Sequence, residues 1–194
     1  MQGVDNLLDT GKFSLIIIDS VAAMIPEKEL RGEIGDSTIG VHARLMSQTL
    51  RKITRKANIN KTTIIFINQL REKIGVMFGS PWVTAGGNAL KFYASIRAEV
   101  KRGAKTKKDD HATGNRGSLV VVKNKTAPPY LGSEYDLEFG IGISKEGELI
   151  DYGVESKVIK KAGSWYSYGE TRLGQGKDGV KAILADNPEL QAEL

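Results

Sequence analysis

Two runs of branched apolar residues constrain this chain more than any other feature: LIIIDS at residues 15–20 and TTIIFINQ at residues 62–69. Each is short, continuous and rich in isoleucine, and each ends in polar residues. Such runs read as buried strands, because β-branched side chains suit a pleated surface and a strand covered on both faces need not alternate. Between them, in VHARLMSQTLRKITRKA (residues 41–57), Val41, Leu45, Met46, Leu50, Ile53 and Ala57 recur at steps of three and four. That spacing predicts an amphipathic helix, whose other face carries Arg44, Arg51, Lys52, Arg55 and Lys56. Strand, helix and strand with so long a connection predict a parallel crossover, and so an α/β sheet. Ligands of such sheets gather at the carboxyl ends of strands, which marks Asp19, Ser20, Asn68 and Gln69.

Other segments read less sharply. The stretch ELRGEIGDSTIG (29–40), after Pro26, predicts a loop. REKIGVMFGSPWVTA (71–85) predicts another, in which Ile74, Val76, Met77, Phe78, Trp82 and Val83 sit among Gly75, Gly79 and Pro81. So much apolar matter in a Gly/Pro loop points to contact with another molecule. Gly86-Gly87-Asn88 opens a short helix over 89–94. Residues 96–102 and 119–125 read as strands flanking a polar, disordered-tipped hairpin loop, KTKKDDHATGNRG, and 135–143 as a further strand. Past Ser144 the pattern changes to a helix over 146–161, a short aromatic strand SWYSY over 164–168 and a helix over 178–186. Two domains are expected, 1–143 and a small α/β domain at 144–194.

Composition narrows the function. Cysteine is absent and only His42 and His111 are present, which excludes disulfides, Cys-based zinc sites and a multi-histidine centre. The first residues lack the pattern of a signal peptide, and no apolar run approaches a membrane span, so a cytoplasmic location is expected. The net charge of +5 leaves a nucleic-acid partner and an ordinary basic surface equally open.

Particular residues suggest chemistry. An aspartate at the end of a buried strand, Asp19, suits a magnesium ion that keeps most of its waters, and equally suits a cap on the following turn. Gln69, at the second strand end and directly before a loop, suits a sensor of a terminal phosphate, or a glutamine bound to backbone. The basic helix face alone reads as a solvated surface. Together with the two loops it reads as a groove for a nucleic-acid backbone, with Arg44, Arg51, Arg71, Lys73 and the Gly86-Gly87-Asn88 turn facing phosphates. Lys123 and Lys125 alternate about Asn124 and would share one side of a strand, either around an anion or in solvent. The phosphate loop GxxxxGK[ST] occurs nowhere in these residues; its nearest imitation is GETRLGQGK (169–177).

The segments LIIIDSVAAMIPEKELRGEIGDSTIGVHARLMSQTLRK, FINQLREKIGVMFGSPWVTAGGNALKFYAS, VVKNKTAPP and KAGSWYSYGETRLGQGK, in this order, resemble the bacterial RecA recombinase family over nearly the whole chain. The resemblance implies the C-terminal part of a RecA-like P-loop ATPase core, a partial, mostly parallel sheet with helices, followed by a small α/β domain. It implies an ATP-dependent recombinase that forms helical filaments on single-stranded DNA, exchanges strands with a homologous duplex and promotes self-cleavage of the SOS repressor. ATP and Mg2+ would be its cofactors. By position, Asp19 and Ser20 match the magnesium side of the nucleotide, and Gln69 the γ-phosphate sensor. Residues 33–39 and 70–84 match two DNA-binding loops. Arg44, Ser47, Arg51, Arg71, Lys73, Gly86, Gly87 and Asn88 match DNA-backbone positions. Lys123 and Lys125 match a pair that reaches a neighbour's ATP, with Pro129, Phe139 and Gly140 near its adenine. Lys91 and Phe92 match subunit-interface positions. Positions 118 and 120, basic in some relatives and linked to the second DNA strand, are Ser118 and Val120 here. Because these residues hold no phosphate loop, the chain alone is expected not to hydrolyse ATP. The alternative is a non-catalytic DNA-binding or filament-docking module.

Overall fold

The structure, a computed structural model, describes residues 1–33, 40–75, 77–79, 81–108 and 111–194. It forms two compact units, Met1–Ser95 and Ile96–Leu194.

In the first unit, α1 (Gln2–Asp9) precedes β1 (Leu15–Asp19), a 3-10 turn (Val21–Ala23) and α2 (Glu27–Arg31). Then come α3 (Val41–Ile59), β2 (Thr63–Ile67), the short strands β3 (Leu70–Glu72) and β4 (Trp82–Thr84), and α4 (Ala89–Tyr93). β1 and β2 pair in parallel, from Leu15 opposite Thr63 to Asp19 opposite Ile67, with α3 as the crossover. The apolar stripe of α3 buries Met46, Leu50 and Ile53 against Leu8, Ile16 and Val21, flanked by Ile18, Ile64 and Phe66. Helix α1 is an addition to the elements expected from the sequence pattern. It is tied to α3 through the buried Asp5, whose carboxylate accepts from Lys52 and Lys56. Hydrogen bonds from Lys52 and then Lys56 hold that carboxyl below its ordinary range against the opposing effect of burial.

The two apolar runs are strands, but they are not buried on both faces. Ile16, Ile18, Ile64 and Phe66 face the core, whereas Leu15, Ile17, Ile65 and Ile67 are exposed, Ile17 to 57%. A continuous apolar run does not reveal which of its faces is covered. Among the described residues of this unit, the helices of the core cover one face of the pair.

The second unit carries an antiparallel sheet in the order β5 (Ile96–Lys108), β6 (His111–Asn124), β7 (Gly132–Glu138), β8 (Gly142–Ile143). Of the polar segment expected to be a loop, residues 105–108 and 111–117 belong to the β5–β6 hairpin, whose pairing reaches Lys108 opposite His111 through three register shifts; residues 109 and 110, where the disordered tip is expected, lie outside the described residues. After β8 come α5 (Lys145–Glu155), β9 (Ile159–Ala162), β10 (Trp165–Tyr168), β11 (Thr171–Gln175), α6 (Lys177–Asp186) and α7 (Pro188–Glu193). The helix expected to reach residue 161 stops at Glu155, and Lys157 turns the chain back with φ 64° into β9. The stretch that imitates a phosphate loop is β11 and the start of α6. Strands β9 to β11 and helices α5 and α6 enclose a core of Ile150, Ile159, Tyr166, Leu173, Val180 and Leu184. Among the described residues no helix is long and apolar enough to cross a membrane.

Candidate functional site

Parallel pairing brings the two polar strand ends side by side. Asp19 closes β1 opposite Ile67, and Asn68 and Gln69 follow β2 at the same end. The Asp19 side is exposed, and the Asp19–Ser20 peptide is cis. Asn68 acts as a bracket: its Nδ2 donates to the Ala85 carbonyl at 3.0 Å, and its Oδ1 accepts from the Gln69 amide at 2.8 Å. This bridge links the end of β2 to the far side of the expected DNA loop. The loop's two arms pair as β3 and β4, with Arg71 opposite Val83, and the Lys73 amide donates to the Pro81 carbonyl at 2.9 Å. Between the arms, Ile74, Met77 and Phe78 are almost fully exposed, each above 85%. Val76 and Ser80 of this loop, and residues 34–39 of the expected loop at 33–39, lie outside the described residues.

The Gly86-Gly87-Asn88 turn rests on the first turns of α3. Both glycines have left-handed backbones, φ 80° and 74°. A Cβ on Gly86 would lie 2.9 Å from Met46 Cγ, and one on Gly87 2.8 Å from Ala43 Cβ. Glycine at both positions therefore lets the turn sit directly against the face of α3 that carries His42, Ala43 and Met46. Arg44 and Arg51 are exposed, as are Arg71 and Lys73. Sequence reasoning missed His42. Its Nε2 faces the same turn, is buried and has no hydrogen-bond partner among the described residues. On a helix surface a lone histidine gives no signal. Lys91 and the largely exposed Phe92 lie on α4, which begins at this turn.

In the second unit, β6 ends at Asn124 and not at Lys125. The Asn124 Oδ1 accepts from the Thr126 amide at 3.0 Å and from the Thr126 hydroxyl at 2.9 Å, and this closes the strand into a turn. Lys123 pairs across the hairpin with Arg97. Burial first, then the charges of Lys125 and Arg97, push the Lys123 ammonium below the ordinary lysine value. Lys123 thus has two cationic neighbours, Arg97 across the hairpin and Lys125 along the chain. Lys123 therefore makes its charged form costly when folded. The cost is fully present below the depressed pKa and fades as pH rises toward 10.5. Added triphosphate is expected to raise the Lys123 pKa, read from its side-chain NMR shifts across a pH titration; an unmoved titration would remove this cluster as an anion site.

Pro129 lies in the connection from β6 to β7, close to this cluster in sequence, but Phe139 and Gly140 follow the opposite end of β7. Seven strand residues separate them, roughly 20 Å. Pro129 precedes Tyr130, whose amide donates to the Val121 carbonyl near Lys123, whereas the Phe139 amide donates to the Thr113 carbonyl at the other end of β6. Among the described residues no cluster of three or more acidic or histidine side chains could hold a metal. A single strand-end carboxylate, Asp19, still fits Mg2+, which keeps several waters and takes one or two carboxylates.

Residues 1–144 match the family model of the RecA N-terminal domain and residues 147–194 that of the RecA C-terminal domain. This chain belongs to the RecA family. It is 57% identical to Protein RecA of Nocardioides sp. (strain ATCC BAA-499 / JS614) over 194 residues, which cover 100% of this chain and 55% of that protein. It is 56% identical to Protein RecA of Streptomyces coelicolor, with 100% and 52% covered, and 56% identical to that of Cytophaga hutchinsonii, with 100% and 55% covered. The chain thus spans about half the length of the curated RecA relatives it matches. Among solved structures it is similar to the RadB recombinase at a TM-score of 0.48 and 19% identity, over 73% of this chain and 56% of that one.

Proposed function

We propose that this chain is the DNA-binding and nucleotide-responsive part of an ATP-dependent recombinase. It binds single-stranded DNA within a self-assembled helical filament and pairs it with a homologous duplex, in recombinational repair and in the SOS response through the SOS repressor. The observation that carries this reading is the seating of the Gly86-Gly87-Asn88 turn on the first turns of α3, the helix that also bears the exposed Arg44 and Arg51. Backbone amides, guanidinium groups and a loop tip of bare apolar side chains are what a single strand requires: phosphate contacts along its backbone and apolar surface for its bases. Arg71 and Lys73 extend the same basic surface along the loop.

The nucleotide role rests on the paired strand ends and on the lysine cluster. Asp19, with Ser20, would hold Mg2+, and bound ATP would supply the terminal phosphate that Gln69 senses. The bracket of Asn68 on Ala85 offers a short covalent and hydrogen-bonded path from Gln69 to the DNA loop and the Gly86 turn. Lys123, Lys125 and Pro129 would meet the phosphates and base of a nucleotide held by a neighbouring subunit, and Lys91 and Phe92 would line that subunit contact. Functionally the chain divides near residue 144, between the core and a C-terminal lobe.

The test is the salt dependence of binding to a fluorescent oligothymidine, read by anisotropy. Single-strand binding loses affinity with salt in proportion to about 0.7 per neutralised phosphate. Arg44→Ala with Arg51→Ala is expected to flatten the log–log slope by about 1.4. An unchanged slope, or no binding by the wild-type chain at low salt, would overturn the reading.

A further inference from the structure

The second unit contains an ion cluster that none of the proposed chemistry uses. The side chain of Asp136, on β7, is buried, and its two oxygens meet three cations. Arg116 Nη1, from β6, donates to Oδ1 at 2.8 Å; Lys177 and Lys181, both from α6, donate to Oδ2 at 2.8 and 3.2 Å. The same cations continue outward. Asp151 of α5 accepts from Arg116 at 2.8 Å and from Lys177 at 2.9 Å, and Glu138 accepts from Lys181 at 3.0 Å. Lys181 reaches the cluster by crossing the first turn of α5, where Gly147 leaves it room: a Cβ there would lie 2.9 Å from Lys181 Cε.

This cluster joins the C-terminal lobe to the β5–β8 sheet, two parts of one compact unit. Among the described residues the core of the C-terminal lobe is built from α5 to the chain's last residues, and none from β5 to β8 enters it. The lobe therefore meets the β5–β8 sheet through charge and hydrogen bonds, with one chain connection at Ser144, whose amide donates to the Asp136 carbonyl at 2.9 Å. Beside the cluster lies an open cavity of about 630 Å3, lined by Arg116, Ser133, Glu134, Leu149, Asp151 and Tyr152. A packed apolar junction would resist small displacements everywhere; here one polar point does so, with space next to it.

We infer that the ion cluster centred on Asp136 is a latch: it fixes the C-terminal lobe on the β5–β8 sheet, and opening it lets the lobe swing about Ser144 as a folded body. Each part of the latch has its task. Asp136 neutralises the cations of α6 at the sheet, Arg116 ties in α5 through Asp151, and Gly147 keeps the path of Lys181 clear. The inference does not depend on the nucleic-acid reading.

The chain has no cysteine, so Lys101→Cys on β5 and Ala182→Cys on the exposed side of α6 give two unique spin labels. Double electron–electron resonance on the full chain is expected to give one narrow distance distribution. Asp136→Asn is expected to widen it about twofold or add a second population, as a two-state element does when its closed form is weakened. The circular dichroism of the lobe should stay unchanged. Glu134→Gln, whose largely exposed carboxylate pairs with Arg116 outside the Asp136 centre, is expected to leave the distribution narrow. If Asp136→Asn does not fold, Lys181→Met carries the test, since it keeps the aliphatic stem against Gly147 and removes the charge. A narrow distribution in the folded latch variant, or equal broadening in Glu134→Gln, would overturn the latch.

Discussion

Gly87→Ala is expected to weaken single-stranded DNA binding by about tenfold or more while the chain stays folded. The added methyl meets two costs. The backbone at φ 74° is a left-handed conformation that disfavours any Cβ by about 1–2 kcal/mol. The new carbon would also lie 2.8 Å from Ala43 Cβ and 3.5 Å from Ala43 Cα. Alanine has no rotamer with which to step aside, so either the turn lifts off α3 or the start of α3 moves. Overpacking of this kind costs about 1–3 kcal/mol, well short of unfolding a typical domain. Under the proposed function the displacement falls on a turn whose amides would face the phosphates. Gly163→Ala separates strain from site. It has the same backbone requirement, φ 59°, but open space around it, so it should cost stability and leave DNA affinity unchanged. Anisotropy and thermal melts of both variants check this; a Gly87→Ala chain that binds like wild type would remove the turn from the DNA site.

Periodicity makes the centre of the first unit legible in the sequence. The three- and four-residue steps of α3 and the two isoleucine runs fit only helix and strands, and their order places Asp19 and Gln69 at one end of a parallel pair. Coverage is not legible. Ile17 and Ile65 read as buried because an apolar run looks the same whether one face or both are packed. The β5–β6 hairpin is obscured for the opposite reason. Its glycines and charges suggest a loop, yet Gly103 and Gly114 are glycines because backbone passes close by. A Cβ on them would lie 2.7 Å from the Arg116 carbonyl oxygen and 2.3 Å from that of Leu137. Strand pairing draws on backbone hydrogen bonds, which polar side chains do not forbid. The turn between α5 and β9 is hidden similarly, since Gly153 is small to admit Ile159, whose side chain would lie 2.7 Å from its Cβ.

The sequence does hold one signal of the latch. Glu134, Asp136 and Glu138 alternate along β7, so their side chains share a face of the strand. Three carboxylates in a row on one face repel unless cations arrive from elsewhere in the chain. Which cations cannot be read from the pattern, because Arg116, Lys177 and Lys181 are distant in sequence and only the fold brings them together.

That arrangement sets the second large effect. Asp136→Ala is expected to destabilise the chain by about 3–5 kcal/mol at neutral pH, the usual result of removing one partner from a buried ionic group, and to lower the melting temperature by about 6–20 °C. Burial pushes the Asp136 carboxyl up, but hydrogen bonds from Arg116, Lys177 and Lys181 together outweigh it and hold the group far below its ordinary value of 3.8. Asp151, lowered by Lys177 and Arg116 against its own burial, and Glu138, lowered by Lys181, shift in the same direction. A carboxyl with a depressed folded pKa stabilises fully above its unfolded value, and that stabilisation drains away as pH falls from there toward the folded value. The gap between wild type and Asp136→Ala in urea titrations should therefore be constant from neutral pH down to about 5 and shrink as pH falls through 3.8. Lys181→Met in the Asp136→Ala background should cost less than it does alone, with a coupling of about 0.5–3 kcal/mol. A gap below about 1 kcal/mol, the size of an exposed ion pair, would mean that solvent rather than protein satisfies Asp136. The lobe would then be held by its connection at Ser144 and by the outer pairs Arg116–Asp151 and Lys181–Glu138.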